Sequence, residues 1–297
     1  MPADDVGRAV TRVRPGAVGD RVTGVRALWA AVRPGRLAAV VGVAAFGVAV
    51  AVGDGAALER RRVVALLALP PVVTGVEAVA GARADDARGA SPWTAAVALL
   101  CGAAAAALIV VADAPASAVW LLVAVAGLSV VGPLSPLSLA GRGLGVPVAV
   151  LYWGFALPGY GAAAVGRTGR TVALTLLPFA LLVVAVRLEA VWPRRHADAY
   201  VGHDTLAVRW SPRWLRAVYA VAAVAAFGAL VALTDGVVPA APDVFSWSAT
   251  IAALPAMPVT AWGVVRFTRR RRPYPAAVAA GLVAALQSAT WAYAALG

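Results

Sequence analysis

This sequence contains no lysine, no asparagine, one cysteine and two histidines, and only 13% of its 297 residues are charged. Each scarcity removes a class of protein. With Cys101 alone, no disulfide forms within the chain and no cysteine-based metal site can be built. Cys101 lies inside an apolar block, where a small, soft side chain packs as core. Soluble domains average about a quarter charged residues. At 13% charged and 62% hydrophobic, this chain falls outside that class. The short segments of alternating polarity that mark a transmembrane barrel are missing too. All the basic residues are arginine, and they outnumber the carboxylates to give a formal charge of +12. A nucleic-acid binder would carry such an excess on a soluble face. Here the arginines fall between apolar blocks.

What is present is long apolar runs. Leu37 to Gly53, Trp93 to Ala112 and Ala217 to Thr234 carry no charge at all. A helix rising 1.5 Å per residue needs about 18–20 residues to cross a hydrocarbon core of about 30 Å. Backbone in lipid must satisfy its own hydrogen bonds, so these runs read as helices. The pattern predicts an all-α integral membrane protein with about nine spans, near 37–53, 63–82, 93–112, 116–133, 145–165, 171–192, 214–234, 246–265 and 275–296. Residues 1–36 hold seven arginines and no compact apolar segment with a small-residue cleavage site. They read as an arginine-rich cytoplasmic tail rather than a cleavable signal peptide, and 37–297 as the transmembrane domain. With the N-terminus inside, twenty arginines fall on cytoplasmic segments and five on the opposite face, with Arg187 inside the sixth span. That asymmetry obeys the positive-inside rule. The triplet Arg60 to Arg62 is the exception, at the start of the second span where long side chains snorkel outward. Arg269 to Arg272 read as a topology and anionic-lipid signal.

Pro70 and Pro71 fall in the second span, Pro158 in the fifth and Pro178 in the sixth. They predict kinks, read either as simple packing or as splaying the bundle around a central cavity. A carboxylate within hydrocarbon costs about 2.5–3.5 kcal/mol, so Glu77 and Glu189, near the inner ends of the second and sixth spans, are functional candidates. Glu77, Gly81 and Asp85 are spaced four apart and share a helix face. Arg194 and Asp198 repeat that spacing after the sixth span. Two such faces could share a Mg²⁺ ion and a diphosphate, since Mg²⁺ takes one or two carboxylates plus phosphate oxygens. Equally, Asp85, Asp86 and Asp198 read as solvated charges or partners of Arg83, Arg88 and Arg194. His196 and His203 read as loop residues, and Trp153, Trp192, Trp247 and Trp291 as interfacial anchors. Trp153 and Tyr160 in the fifth span are also candidates for lining an apolar channel, because aromatic faces stabilise cations.

Residues 27–42, with Arg33-Pro34 leading into the first span, residues 132–145, ending in Arg142-Gly143-Leu144-Gly145, and residues 192–210 together resemble the UbiA superfamily of intramembrane prenyltransferases, in particular its 1,4-dihydroxy-2-naphthoate polyprenyltransferase branch. The last stretch closes on Thr205-Leu206-Ala207-Val208-Arg209, similar to a family signature. The resemblance covers nearly all of the chain. It implies a nine-helix bundle with a central cavity open to the cytoplasm and to lipid. It implies ionisation of a prenyl diphosphate and transfer of the prenyl group to an aromatic or lipid acceptor. Mg²⁺ on two Asn/Asp-rich motifs would stabilise the leaving diphosphate. Those motifs map onto Glu77, Gly81 and Asp85 and onto Ala190, Arg194 and Asp198, so only the last aspartate of each remains. The resemblance thus implies Glu77, Asp85 and Asp198 as catalytic and metal-binding groups. Arg142, Arg194 and Arg195 would take the diphosphate through guanidinium forks, with Trp153 and Tyr160 along the prenyl chain. A terpene cyclase or a non-catalytic membrane partner on the same fold is the alternative, since fold does not imply function. A transporter is weaker, because no inverted repeat is visible.

The arginine asymmetry predicts that the N-terminus is cytoplasmic and Gly297 is outside. Reporter fusions at the two ends check this; both ends on one face would contradict nine crossings.

Overall fold

The computed structural model describes residues 34–84, 92–131, 139–239, 242, 244–268 and 275–296, and among these every regular element is helical. The arginine-rich tail before residue 34 and Arg269 to Arg272 lie outside the described residues. The elements are α1 (Pro34–Gly53), α2 (Arg60–Val63), α3 (Leu69–Ala84), α4 (Pro92–Val111), α5 (Ala116–Val131), α6 (Gly145–Ala149), α7 (Leu157–Ala164), α8 (Arg170–Val191), α9 (Arg195–Tyr200), α10 (Leu206–Arg209), α11 (Pro212–Ala232), α12 (Trp247–Ala253), α13 (Ala256–Arg266) and α14 (Pro275–Leu296). Six stretches are long and apolar enough to cross a bilayer: Gly35–Gly53, Gly145–Ala164, Arg170–Tyr200, Pro212–Ala232, Trp247–Arg266 and Pro275–Ala295. Ala96–Val111 and Ala116–Val131 are shorter apolar helices. The chain is therefore a multi-pass, all-α membrane protein.

The prolines decide where the helices change pitch. Pro70 and Pro71 lack an N–H and clash with the carbonyls one turn back. The chain before them, Val64–Ala68, winds as a tight 3₁₀ turn between α2 and α3. The carbonyl of Ala65 in that turn accepts a hydrogen bond from the Tyr160 hydroxyl. Ahead of Pro158, Val150–Ala156 widens into a π-helical turn between α6 and α7. Pro178, by contrast, sits inside α8 without interrupting it. Ser211 and Ser246 accept hydrogen bonds from the backbone N–H groups of Trp214 and Ala249, capping α11 and α12.

Helices α1 and α7 form a shared wall. On one side α3, α4 and α5 pack around Val40, Leu69, Leu122, Val125 and Tyr160. On the other, α8, α11, α12 and α14 pack around Phe46, Leu176, Phe179, Leu182 and Leu230. The wall itself is held by glycine. A methyl group added at Gly47 would lie 1.7 Å from the Pro158 carbonyl oxygen, and one at Gly161 would lie 1.9 Å from that of Ala44. Only glycine lets the two backbones approach this closely, as small residues do in membrane bundles.

The two ends of the bundle differ in charge. At the end formed by Gly53, α2 and Gly166, Arg61 pairs with Glu59 at 3.3 Å and approaches Asp113 at 3.8 Å, Arg62 pairs with Glu59 at 3.2 Å, and Arg167 approaches Asp54 at 3.9 Å. Local carboxylates therefore accompany arginines that snorkelling alone was expected to accommodate. The other end holds Arg36, Arg142, Arg187, Arg194, Arg195, Arg209, Arg213 and Arg216. Two of the four tryptophans read as interfacial anchors are packing groups instead. Trp291 stacks on Phe46 and Phe245, and Trp192 is buried with its indole N–H donating to the Thr268 carbonyl at 3.1 Å.

Gly47→Ala is expected to destabilise the protein by about 1–3 kcal/mol or more, because the added carbon has nowhere to go. Gly127→Ala, with open space around the new carbon, serves as the control. Thermal unfolding in a fixed detergent checks this; equal melting temperatures for the two variants would contradict the packing.

Candidate functional site at the arginine-rich end

The site is built on the last turns of α8 and the chain that follows. After Val191, Pro193 favours a 3₁₀ turn, Trp192–Arg194, that turns the backbone into α9. The Arg195 guanidinium lies 3.9 Å over the Trp192 ring and donates to the Trp192 carbonyl at 3.0 Å. Arg195 is thus held by a cation–π contact and a backbone bond, and Arg194 beside it is exposed. One oxygen of Asp198 accepts from the Thr205 hydroxyl at 3.3 Å, and its carbonyl accepts from the His203 N–H at 2.8 Å. These bonds close the turn between α9 and α10, in which His196 and His203 are exposed. Asp204 accepts a hydrogen bond from Arg209, which holds its carboxyl below the usual carboxylate range.

The loop before α6 docks on this segment. Gly143 has φ of +82°, and a methyl group there would meet the Asp204 carbonyl at 3.3 Å and the Arg209 guanidinium at 3.7 Å. The exposed Arg142 therefore stands at the same end as Arg194, Arg195 and Asp198. Beneath them Val146, Ala185, Leu188, Trp192, Ala207, Leu215, Tyr219, Phe267 and Ala276 form one apolar cluster. That cluster ties α6, α8, α10, α11 and α14 into a common floor.

Glu189 is part of this floor. It is only 2% exposed, and both its oxygens accept from the Ala276 N–H, at 3.1 and 3.0 Å. Its Oε1 also accepts from the Tyr219 hydroxyl at 3.1 Å. Ala276 follows Pro275 in the first turn of α14, where unpaired N–H groups and the helix dipole favour an anion. The carboxylate that sequence reasoning marked as a functional candidate is thus a buried helix cap.

Arg187 lies two residues before Glu189. Its Nε is buried with no hydrogen-bond partner among the described residues. Two other arginines act on it electrostatically: Arg194, two turns further on, and Arg36, in the first turn of α1. An arginine at a membrane-helix centre costs about 2.5–3.5 kcal/mol, less toward the ends. Sequence reasoning applied that cost to the carboxylates and not to the arginines. The same test singles out Arg187, and its spacing from Arg194 would have put both on one face.

The remaining candidates fall as follows. Glu77 is on α3, but its side chain lies outside the described residues, as do Asp85, Asp86 and Arg88. Helix α3 packs against α1, α4 and α5, whereas α8 packs against α1, α7, α11 and α14, so α1 is the helix common to both. Asp198 is the one carboxylate of the expected metal set that the described residues include, and no group of three His, Cys, Asp or Glu side chains among them stands close enough to hold a metal. Tyr160 is fully enclosed at the α1–α7 wall with its hydroxyl bonded to Ala65, and Trp153 is half-buried with its ring edge-on to Tyr152 at 5.1 Å. No family model, no curated protein and no solved structure matches this chain.

Glu189→Ala leaves the Tyr219 hydroxyl and the Ala276 N–H buried without their acceptor, a loss of about 2–4 kcal/mol. Glu189→Gln keeps one acceptor oxygen and is expected to lose less. Thermal melts of the two variants check the order; an Ala variant as stable as wild type would show that the cap contributes nothing.

Proposed function

We propose that the chain is a UbiA-like intramembrane prenyltransferase of the plasma membrane, with its N-terminus and arginine-rich end cytoplasmic. In this reading the helices form the nine-span bundle of that superfamily around a central cavity. The substrate is a prenyl diphosphate, and the acceptor is an aromatic or lipid molecule dissolved in the bilayer. The allylic C–O bond breaks with its electron pair leaving on the diphosphate. The acceptor carbon then captures the carbocation and loses a proton. The observation that supports this reading best is the docking of Gly143 on Asp204 and Arg209. It brings the end of one stretch that resembles the superfamily, at Gly143, against another, 192–210, that lies far from it in the chain.

Charge supports the same reading. A diphosphate leaving group needs compensating positive charge in the transition state. Arg142, Arg194 and Arg195 stand at one end of the bundle, with Asp198 and Asp204 at the same end. Arginine supplies bidentate donors to phosphate oxygens and never loses its charge. If Mg²⁺ takes part, Glu77, Asp85 and Asp198 are the residues that would hold it, and it would supply further charge to the leaving group. Trp153 and Tyr160 would then flank the prenyl chain.

The test is incubation of the protein in nanodiscs with labelled geranylgeranyl diphosphate, an aromatic acceptor and Mg²⁺. The expected outcome is diphosphate release with a prenylated product, reduced at least about tenfold in Arg194→Ala. That factor corresponds to one lost charge-assisted contact of about 1.4 kcal/mol. No release for any of several chain lengths would favour a non-catalytic membrane partner.

A further inference from the structure

One polar side chain deep in α14 is enclosed by the bundle and unsatisfied. Gln287 is 1% exposed, and its Nε2 has no hydrogen-bond partner among the described residues. A buried amide left without a hydrogen bond is costly, and native structures rarely keep one. Helix α14 packs on α1, α8, α12 and α13. The buried hydroxyls on these neighbours are engaged on their own helices or with each other. Thr175 donates to the Thr171 carbonyl, Thr260 to that of Ala256, and Thr250 bonds Thr234.

Helix α8 supplies an acceptor at the same level. The two helices run antiparallel: Glu189 near the end of α8 holds Ala276 at the start of α14, and near the other end of α14 Trp291 lies against Gly53. Pro178 is eleven residues before Glu189, and Gln287 is eleven after Ala276. At 1.5 Å per residue both stand about 16 Å from that pin, near the middle of a hydrocarbon core of about 30 Å. Eleven residues at about 100° each return to within about 20° of the starting direction. Pro178 and Gln287 therefore lie on the faces through which Glu189 and Ala276 meet. Leu182 and Val283, seven residues from the same pin, share one apolar cluster, as this register requires. Pro178 has no N–H, so the Leu174 carbonyl loses its helical donor. In membrane helices a carbonyl released in this way is satisfied by a neighbouring helix or an ordered water.

We infer that one water molecule bridges the Gln287 amide and the Leu174 carbonyl, a buried polar site that joins α14 to α8 at the proline. Nε2 makes no direct bond to the described residues, and a buried water needs two to four polar partners. The amide N–H donates to the water, and the water donates to the carbonyl. Size favours water over a larger hydroxyl compound. Phe46, Phe179 and Trp291, each 8% exposed or less, pack ring against ring at 5.0 and 6.2 Å in the cluster that encloses this part of α14, which shuts out an aromatic ring or an acyl chain. The site is independent of the transferase reading.

The experiment uses the full chain in nanodiscs. A cryo-EM map fine enough to show ordered waters is expected to hold one peak within about 2.7–3.2 Å of both Gln287 Nε2 and the Leu174 oxygen. Melting temperatures give a second readout. Gln287→Leu is expected to melt lower than wild type by about 2–4 °C or more, because the carbonyl loses its donor. An amide that holds nothing would give the opposite, since removing an unpaired polar group stabilises. Pro178→Ala returns an N–H to the Leu174 carbonyl, and in that background Gln287→Leu is expected to lose its penalty. The proposal is overturned by a map in which Gln287 bonds protein directly or meets elongated, lipid-like density. It is equally overturned if Gln287→Leu melts higher than wild type, or if its penalty is the same in both backgrounds. Should Gln287→Leu fail to assemble, the wild-type map decides alone.

Discussion

Two carbonyl oxygens seated against two glycines set the geometry of this bundle. Pro158 presses on Gly47 and Ala44 on Gly161, and no residue with a side chain fits either contact. Because α1 packs on both halves of the bundle, its position fixes how α3, α4 and α5 lie relative to α8, α11 and α14. Lipid gives no hydrophobic driving force between helices, so close backbone packing of this kind is what holds such helices together. The proline at position 158 takes part twice, offering its carbonyl to Gly47 and following the π-helical turn before α7.

The charges follow from the same architecture. At the end away from Arg187, arginines on α2 and before α8 meet carboxylates on neighbouring loops at 3.2–3.9 Å. These pairs are largely exposed, and each contributes little to stability. Their effect is on net charge, which they bring close to balance locally. At the other end the described carboxylates are drawn into structure: Glu189 by the first turn of α14, Asp198 by a turn hydroxyl, Asp204 by Arg209. Among the described residues, arginines outnumber carboxylates at this end. That imbalance orients a membrane protein, and it also leaves a surface that attracts anions.

Hydropathy made the helical stretches legible, because each run of apolar residues in lipid has only one way to satisfy its backbone. It could not show that the second stretch is divided by a 3₁₀ turn, since that depends on how Pro70 and Pro71 are accommodated and on Tyr160 reaching Ala65. The spacing rule gathered Glu77, Gly81 and Asp85, and Arg194 with Asp198, but was not carried back to Arg187 inside the sixth span. Glu189 looked functional by cost and proved to be a cap, because its partner Ala276 is 87 residues away in the chain. The contact of Gly143 with Asp204 and Arg209 is tertiary and was not legible in the sequence. Tryptophan position was a weak guide, since Trp291 buries its ring against Phe46 and Phe245 rather than at a lipid interface.

The central claim is that the arginines around the end of α8 receive the diphosphate of a prenyl donor. The most direct measurement is an experimental map of the protein in a nanodisc, saturated with an unreactive thio-analogue of geranylgeranyl diphosphate and Mg²⁺. The account predicts phosphorus density within about 4 Å of the Arg194 guanidinium, with the chain running into the bilayer. Density held elsewhere, or none at that end of the bundle, would contradict it.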